Sequence, residues 1–264
     1  MTEFCRLDKL LPWKNSSIRV KVYRRRETED SEGNPAMDFI LADKYGKKIH
    51  ATVSHQYFHR FKRDLPEDEW REITNVHVSD RNWNHPTHML ARHQYMITLD
   101  GPTGVRPIPS LRDSHMFDFT DFNQVITRVV DAAYPIDLTG VVGYIGKLQP
   151  TELDNEEKTC IPFHLKDHRN QEIYCVAYGQ LAPDFNIQRR SFTQADTVIC
   201  VLSEWRVTFH NGEVLVTGEG GLARIFINPW IEERDVMRHR FLHPDVEEPQ
   251  DNNSVAGSSS AVIC

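Results

Sequence analysis

Residues capable of chemistry are scattered along this chain. Cys160, His164 and His168 stand four apart, a spacing that suits zinc on a helix. They fall in an alternating apolar segment, however, and on a strand the three side chains spread over about 25 Å. Asp118 and Asp121 could pair as acid and base, but they lie beside Phe117, Phe119 and Phe122, which read as anchors of a connecting segment. The sequence has no glycine-rich phosphate loop, no Gly-x-Ser-x-Gly elbow and no His-Glu-x-x-His helix. Binding rather than catalysis is expected, with no cofactor and no metal site. The stretch with the most chemical content is Ser17 to Arg26, where Ile18, Val20 and Val22 alternate with Arg19, Lys21 and Tyr23. Such a strand has one apolar and one basic face. A solvated outer face or a nuclear-import signal at Arg24 to Arg26 would look similar, and so would a groove that tracks a polyanion.

Charge restricts where such a groove can lie. The 264 residues carry a net charge of −7, which speaks against a uniformly polyanion-binding surface. Residues 1 to 100 hold 17 Lys and Arg against 15 Asp and Glu, whereas residues 101 to 264 hold 14 against 23. A binding face for a polyanion must be local, and the first half is favoured. Five cysteines form no Cys-x-x-Cys pair, as suits a reducing compartment. No run of 18 apolar residues exists and the N-terminal residues lack an apolar signal core, so a soluble chain with no membrane association is expected.

The elements that must position these residues are organised about residues 37 to 53. Met37, Phe39 and Leu41 alternate, Asp43 to Gly46 turns the chain, and Ile49, Ala51 and Val53 resume the alternation: this is a hairpin. It occurs twice. A shift of 124 residues without a gap sets Phe39 on Phe163, Asp43 on Asp167, Ile49 on Ile173, Phe61 on Phe185 and Ser79 on Ser203. Asn170 then stands at the place of Gly46, and both residues tolerate a left-handed turn.

Around the first hairpin the order reads strand (17–26), strand, strand, short helix (55–64), strand (72–80), strand (89–99). The second copy supplies strands at 137–148, 158–167, 171–179, 197–209 and 213–219, with a helix near 180–186. Five strands with a helix between the third and fourth is the plan of the OB-fold, a small Greek-key barrel. The expected fold is therefore all-β: two tandem OB-fold barrels with short capping helices and a disordered C-terminal tail. The expected boundaries are a first barrel with an N-terminal segment over 1–100, a linker and short helix over 101–136, a second barrel with a terminal helix over 137–242, and an acidic, serine-rich tail over 243–264.

The Leu41-Ala-Asp-Lys-Tyr-Gly-Lys-Lys-Ile-His-Ala-Thr-Val53 hairpin, the Asp137-Leu-Thr-Gly-Val-Val start of the second barrel and the Tyr178-Gly179 step carry a likeness. From residue 10 to about 240 the chain resembles the DNA-binding barrels of the replication protein A large subunit, its divergent plant relatives above all. The resemblance implies single-stranded DNA binding in replication, repair or recombination, and a nuclear location. RNA is a further candidate ligand. In that family each barrel stacks bases on two aromatics. The matching positions are Tyr178 and Phe209 in the second barrel, but Met37 and His88 in the first. The first barrel would then rely on Arg19, Lys21, Arg24 and Arg92 for phosphates. Other replication protein A-type subunits are candidate partners, against which the absence of the family's zinc-bearing third barrel counts. A protein–protein interaction module built on divergent OB-folds, with little nucleic-acid affinity, is the alternative.

Overall fold

The computed structural model describes residues 4–30, 32–80, 89–153, 156–192, 197–210 and 212–242. The first strand of each half is long and serves two neighbours. β1 (Ser16–Glu29) pairs through residues 21–29 with β2 (Pro35–Ala42) and through residues 16–21 with β4 (Trp70–Asp80). With β3 (Lys48–Val53) and β5 (Tyr95–Leu99) the order β1-β2-β3-β5-β4 closes back on β1. Alternation fills the barrel: Ile18, Val20, Met37, Phe39, Leu41, Ile49, Ala51, Val53, Ile73 and Ile97 are all buried. Helix α1 (Phe58–Asp64) plugs one end with Phe58 and Phe61.

The second half repeats the plan. β7 (Ile136–Ile145) pairs with β9 (Glu156–Lys166) and β11 (Ile199–His210), and β10 (Glu172–Tyr178) and β12 (Glu213–Gly218) complete a second closed barrel. Helix α3 (Leu181–Gln188) contributes Ala182 and Phe185 to its core. Both barrels are five-stranded, and the chain is a tandem OB-fold. Between them lies α2 (Phe122–Ile126), N-capped by Asp121, whose carboxylate accepts from the Asn123 amide at 2.7 Å. Asp121 thus has a capping role, and Phe122 enters the second core. A final helix, α4 (Glu232–Leu242), follows the second barrel. No helix of the described residues is long and apolar enough to cross a membrane.

The duplicated turn has a shared physical cause. Asp43 Oδ1 accepts from the amides of Tyr45 and Lys47 at 2.9 and 3.0 Å, and Asp167 Oδ1 accepts from those of Arg169 and Gln171, both at 2.8 Å. Gly46 and Asn170 take φ of 83° and 59°. The 124-residue shift holds for this hairpin and for Phe61 and Phe185, which both fill their cores. It fails elsewhere. Ser16 faces Val76 and Ile18 faces Ile73, while Ile136 faces Trp205 and Leu138 faces Leu202. The first strands are thus related by 120 residues and the fourth strands by 129. Ser79 and Ser203 are therefore not equivalent, and the duplication carries insertions.

Three strands were hidden from the sequence. β6 (Gly104–Pro107) lies in what reads as an extended linker, yet it pairs with β4; a Cβ at Gly104 would stand 2.6 Å from Thr74 Oγ1, so that glycine serves close approach instead of flexibility. β8 (Gln149–Leu153) and β13 (Arg224–Ile227) add to β9 and β11. His88 and the tail 243–264 lie outside the described residues.

Candidate functional site

In the second barrel, Ile161, Phe163 and Leu165 of β9 and Ile173, Cys175 and Ala177 of β10 point inward. The alternate positions form an outer face. There His164 lies opposite Tyr174 across the β9–β10 ladder, with ring centroids 5.3 Å apart and planes at 65°. On the other side of His164, Tyr144 of β7 approaches edge-on at 6.4 Å. Tyr144 is 71% exposed and Tyr174 43%. Three aromatic rings thus form an open row across three adjacent strands.

Local sequence explains each position. β7 carries an irregularity between Val142 and Ile145, which turns Tyr144 out while Val142 and Ile145 pack on the core. Just beyond, a Cβ at Gly146 would sit 2.7 Å from the Pro162 ring, so only glycine lets β7 lie this close to β9. Gly146 O also accepts from Arg189 Nη1 at 2.8 Å, which brings the end of α3 beside the row. Lys147 and Arg190, the next residues along the chain from Gly146 and Arg189, are exposed.

At the other margin, Lys166 Nζ and His164 Nδ1 meet the Glu172 carboxylate at 2.6 and 3.0 Å. The hydrogen bond from Lys166, with that from His164 second, holds the Glu172 carboxyl below its usual range. Burial, followed by the neighbouring Cys160 sulfur, raises the Tyr174 and Tyr178 phenols. Tyr178 is on the same outward phase, half-buried, one end of β10 beyond Tyr174. Rings with free faces and edge-on neighbours, flanked by ammonium and guanidinium groups, can stack planar heterocycles and hold phosphates.

The equivalent face of the first barrel is used differently. His164 and Tyr174 correspond to Ile40 and His50, which are likewise opposite each other. Ile40 is fully buried in an apolar cluster with Tyr23, Ala42, Trp70, Leu90, Met116 and, from the second barrel, Leu222. His50 Nε2 is 2.8 Å from Asp38 Oδ1, and Asp38 Oδ2 accepts from Arg26 Nη2 at 2.9 Å. Lys48 Nζ reaches Glu204 Oε1 at 2.7 Å and Asp137 Oδ2 at 3.4 Å, both in the second barrel. Burial opposes the Lys48 charge, yet the two carboxylates outweigh it and raise its pKa. Tyr23 Oη hydrogen-bonds Ser203 Oγ at 2.9 Å, and Arg224 Nη2 grips both Glu67 oxygens at 2.7 Å. The first barrel's face is a docking surface for the second barrel.

The expected site residues therefore separate. Arg24 is 2% exposed, its guanidinium over the Tyr23 ring and bonded to Ser203; it cannot meet a phosphate, because it sits inside the barrel junction. Met37 is 1% exposed and belongs to the first core, since the inward phase of β2 begins with it. Arg19 pairs with Glu72 at 3.2 Å, and Lys21 with Asp68 at 2.8 Å. Arg92 is exposed, over the Tyr134 ring at 5.1 Å, on a cleft of about 500 Å³ between the barrels whose other charged walls include Lys48, Asp137 and Glu204. Phe209 faces Val214, which packs on the core; it is 37% exposed at the barrel mouth and covered by Arg128 at 5.7 Å. It does not share the outward phase of Tyr178. In the sequence His164 stands out only through its spacing from Cys160 and His168, and Tyr144 carries no signal; Tyr174 does, because it stands out of phase with Ile173 and Cys175 much as Tyr178 does with Ala177.

Comparison with known proteins agrees with this architecture. Residues 9–128 match a family described as Domain of unknown function DUF223. A solved replication protein A heterotrimer bound to single-stranded DNA contains a chain with TM-score 0.59 and 18% identity to this one, over 91% of this chain. The chain spans 55% of the length of that chain. Less similar are the p202 HIN1 domain in complex with a 12-mer double-stranded DNA, with TM-score 0.40, 12% identity, and 84% of this chain and 100% of that one covered, and an OB domain from Thermoplasma acidophilum, with TM-score 0.26, 17% identity, and 37% of this chain and 79% of that one covered. No curated protein matches significantly. At 18% identity the likeness to the replication protein A chain is one of fold.

Proposed function

We propose that this chain binds single-stranded DNA through the outer face of β7, β9 and β10 in its second barrel. The observation that carries this reading is the open row Tyr144–His164–Tyr174, with the Lys166 ammonium beside it on the Glu172 carboxylate that also meets His164. Every base has a π-face, so such a row stacks successive bases without reading their sequence, at about 1–3 kcal/mol per base. The replication protein A-like architecture supports a place in replication, repair or recombination, in the nucleus, by binding and not by catalysis.

Fluorescence anisotropy with a labelled 25-nucleotide oligothymidine, set against an RNA of the same length and a duplex, tests the reading. Replacing Tyr144 and Tyr174 together by alanine should weaken DNA binding by about 2–6 kcal/mol, from roughly 1–3 for each platform. Unchanged affinity in a folded double variant removes the row from the site. Stronger binding to RNA would change the ligand and leave the face in place.

A further inference from the structure

We infer that the two barrels form one unit with a single nucleic-acid face, so that the ligand is a single-stranded segment of one-barrel length and the first barrel serves as a dock. This rests on the proposed role of the second barrel's row and adds what the first barrel does.

Two barrels of one fold suggest two binding faces in series. The structure assigns the first barrel's face to another purpose. Ile40 and Ala42, on the outward phase of β2, are fully buried. They stand where the second barrel has His164 and Lys166. Tyr23 and Arg24 occupy the irregularity of β1 that corresponds to the one in β7 at Tyr144, and both are turned into the junction, bonded to Ser203. His50, the counterpart of Tyr174, is held by Asp38. Every position of the aromatic row is thus filled in the first barrel by a docking or ion-paired residue.

Separating the barrels to free this face is costly. It would expose the apolar cluster of Tyr23, Ile40, Ala42, Trp70, Leu90, Met116 and Leu222 and pull Lys48 from the buried Asp137 and Glu204 carboxylates. Of the cations on the strands of this face, Arg19 pairs with Glu72, Lys21 with Asp68 and Arg26 with Asp38, whereas Lys44, Lys47 and Arg92 are exposed. The first barrel does keep one basic aromatic turn, where Tyr45 is 51% exposed with Arg6 and Lys44 over its ring at 4.1 and 5.1 Å. Among the described residues no second ring pairs with Tyr45 to continue a stack.

The test measures affinity of the full chain against oligothymidine length, from 6 to 40 nucleotides at about 0.15 M salt. An OB-fold occupies about 4–16 nucleotides, so affinity should level off by about 16 apart from the statistical gain of extra registers. The Lys44→Glu/Lys47→Glu variant, at the basic turn, should stay within about twofold of the natural chain, because surface charges away from the site act only through a screened field. A further tenfold gain between 16 and 40 nucleotides, or a fivefold loss in the Lys44→Glu/Lys47→Glu variant, overturns the single-face inference and leaves the second barrel's role intact. Failure of the second barrel's role reads differently: no length binds, or the Tyr144→Ala/Tyr174→Ala pair binds as well as the natural chain.

Discussion

The two barrels share a strand order, a helix plug and an aspartate-buttressed turn, yet the same sheet face is closed in one and open in the other. The difference rests on a few outward positions. Ile40 and Ala42 in the first barrel give an apolar, small surface on which Leu222 and Met116 can lie. His164 and Lys166 at the same places in the second cannot be covered without stranding polar atoms. The inward positions barely differ in character: Phe39 and Phe163, Leu41 and Leu165, and Ile49 and Ile173 all fill cores. A duplicated fold keeps its inside and diverges on its outside, and binding is decided by the half of each strand that the barrel does not need.

The largest expected effect tests the closed side. Lys48 holds two buried carboxylates that belong to the other barrel, so Lys48→Met leaves Asp137 and Glu204 without their ammonium. The cost should be about 3–5 kcal/mol, as when one partner of a buried ion pair is removed. Chemical denaturation would report it, and both barrels should lose stability because the junction is shared. A loss below about 1 kcal/mol would show that the junction is a loose contact and that the comparison between closed and open faces is weaker than the packing suggests.

A matched pair of substitutions sharpens the comparison. Tyr174 and His50 occupy equivalent positions on the third strand of each barrel. Tyr174→Ala should reduce single-strand affinity by about 1–3 kcal/mol, with stability changed by no more than about 0.5 kcal/mol, since the ring is a surface group. His50→Ala should do the reverse: affinity unchanged, and stability reduced by about 1 kcal/mol through loss of its hydrogen bond to Asp38. Titration with oligothymidine and thermal melting of both variants give the four values. Equal loss of affinity in the two variants would mean that both faces touch the strand.

Much of this fold is legible in the sequence because it depends on period-two alternation and turn chemistry. Phe39 to Val53 and Phe163 to Ala177 announce their hairpins through both, and the five-strand plan follows. The open face is less legible. Core-seeking and ligand-stacking aromatics are the same residue types, and only phase separates them. Phase could place Tyr174 outward, but Tyr144 depends on an irregularity in β7 that no local pattern marks. The burial of Arg24 is less visible still: an arginine in a run of three basic residues reads as solvated, and only the arrival of Ser203 and Phe226 from the other half of the chain encloses it. Features set by alternation and turn chemistry could be read from their own stretch of chain; those set by a strand irregularity or by the junction could not.

The smallest expected effect concerns which junction charge matters. Glu204 is buried, with its backbone at φ 61°, and its amide donates to Asp137 Oδ1 at 2.9 Å. Burial raises its carboxyl pKa, and although Lys48 pulls it down, the neighbouring Asp137 charge helps keep it above the ordinary glutamate value. An acid whose pKa is raised by folding binds its proton more tightly in the folded chain. Its contribution therefore favours the fold at pH below the unfolded value and is lost as pH rises through the folded one. Glu204→Gln keeps the shape and a hydrogen-bonding oxygen for Lys48 and removes that titration. The cost near neutral pH should be about 1 kcal/mol or less, well under that of Lys48→Met. Compared with the natural chain, the variant should fare better at pH 8 than at pH 5, since only the natural chain gains from protonation at the lower pH. Melting both proteins at the two values measures the difference, and a variant that fares worse at pH 8 would show that the ionised Glu204 is a net stabilising partner of Lys48.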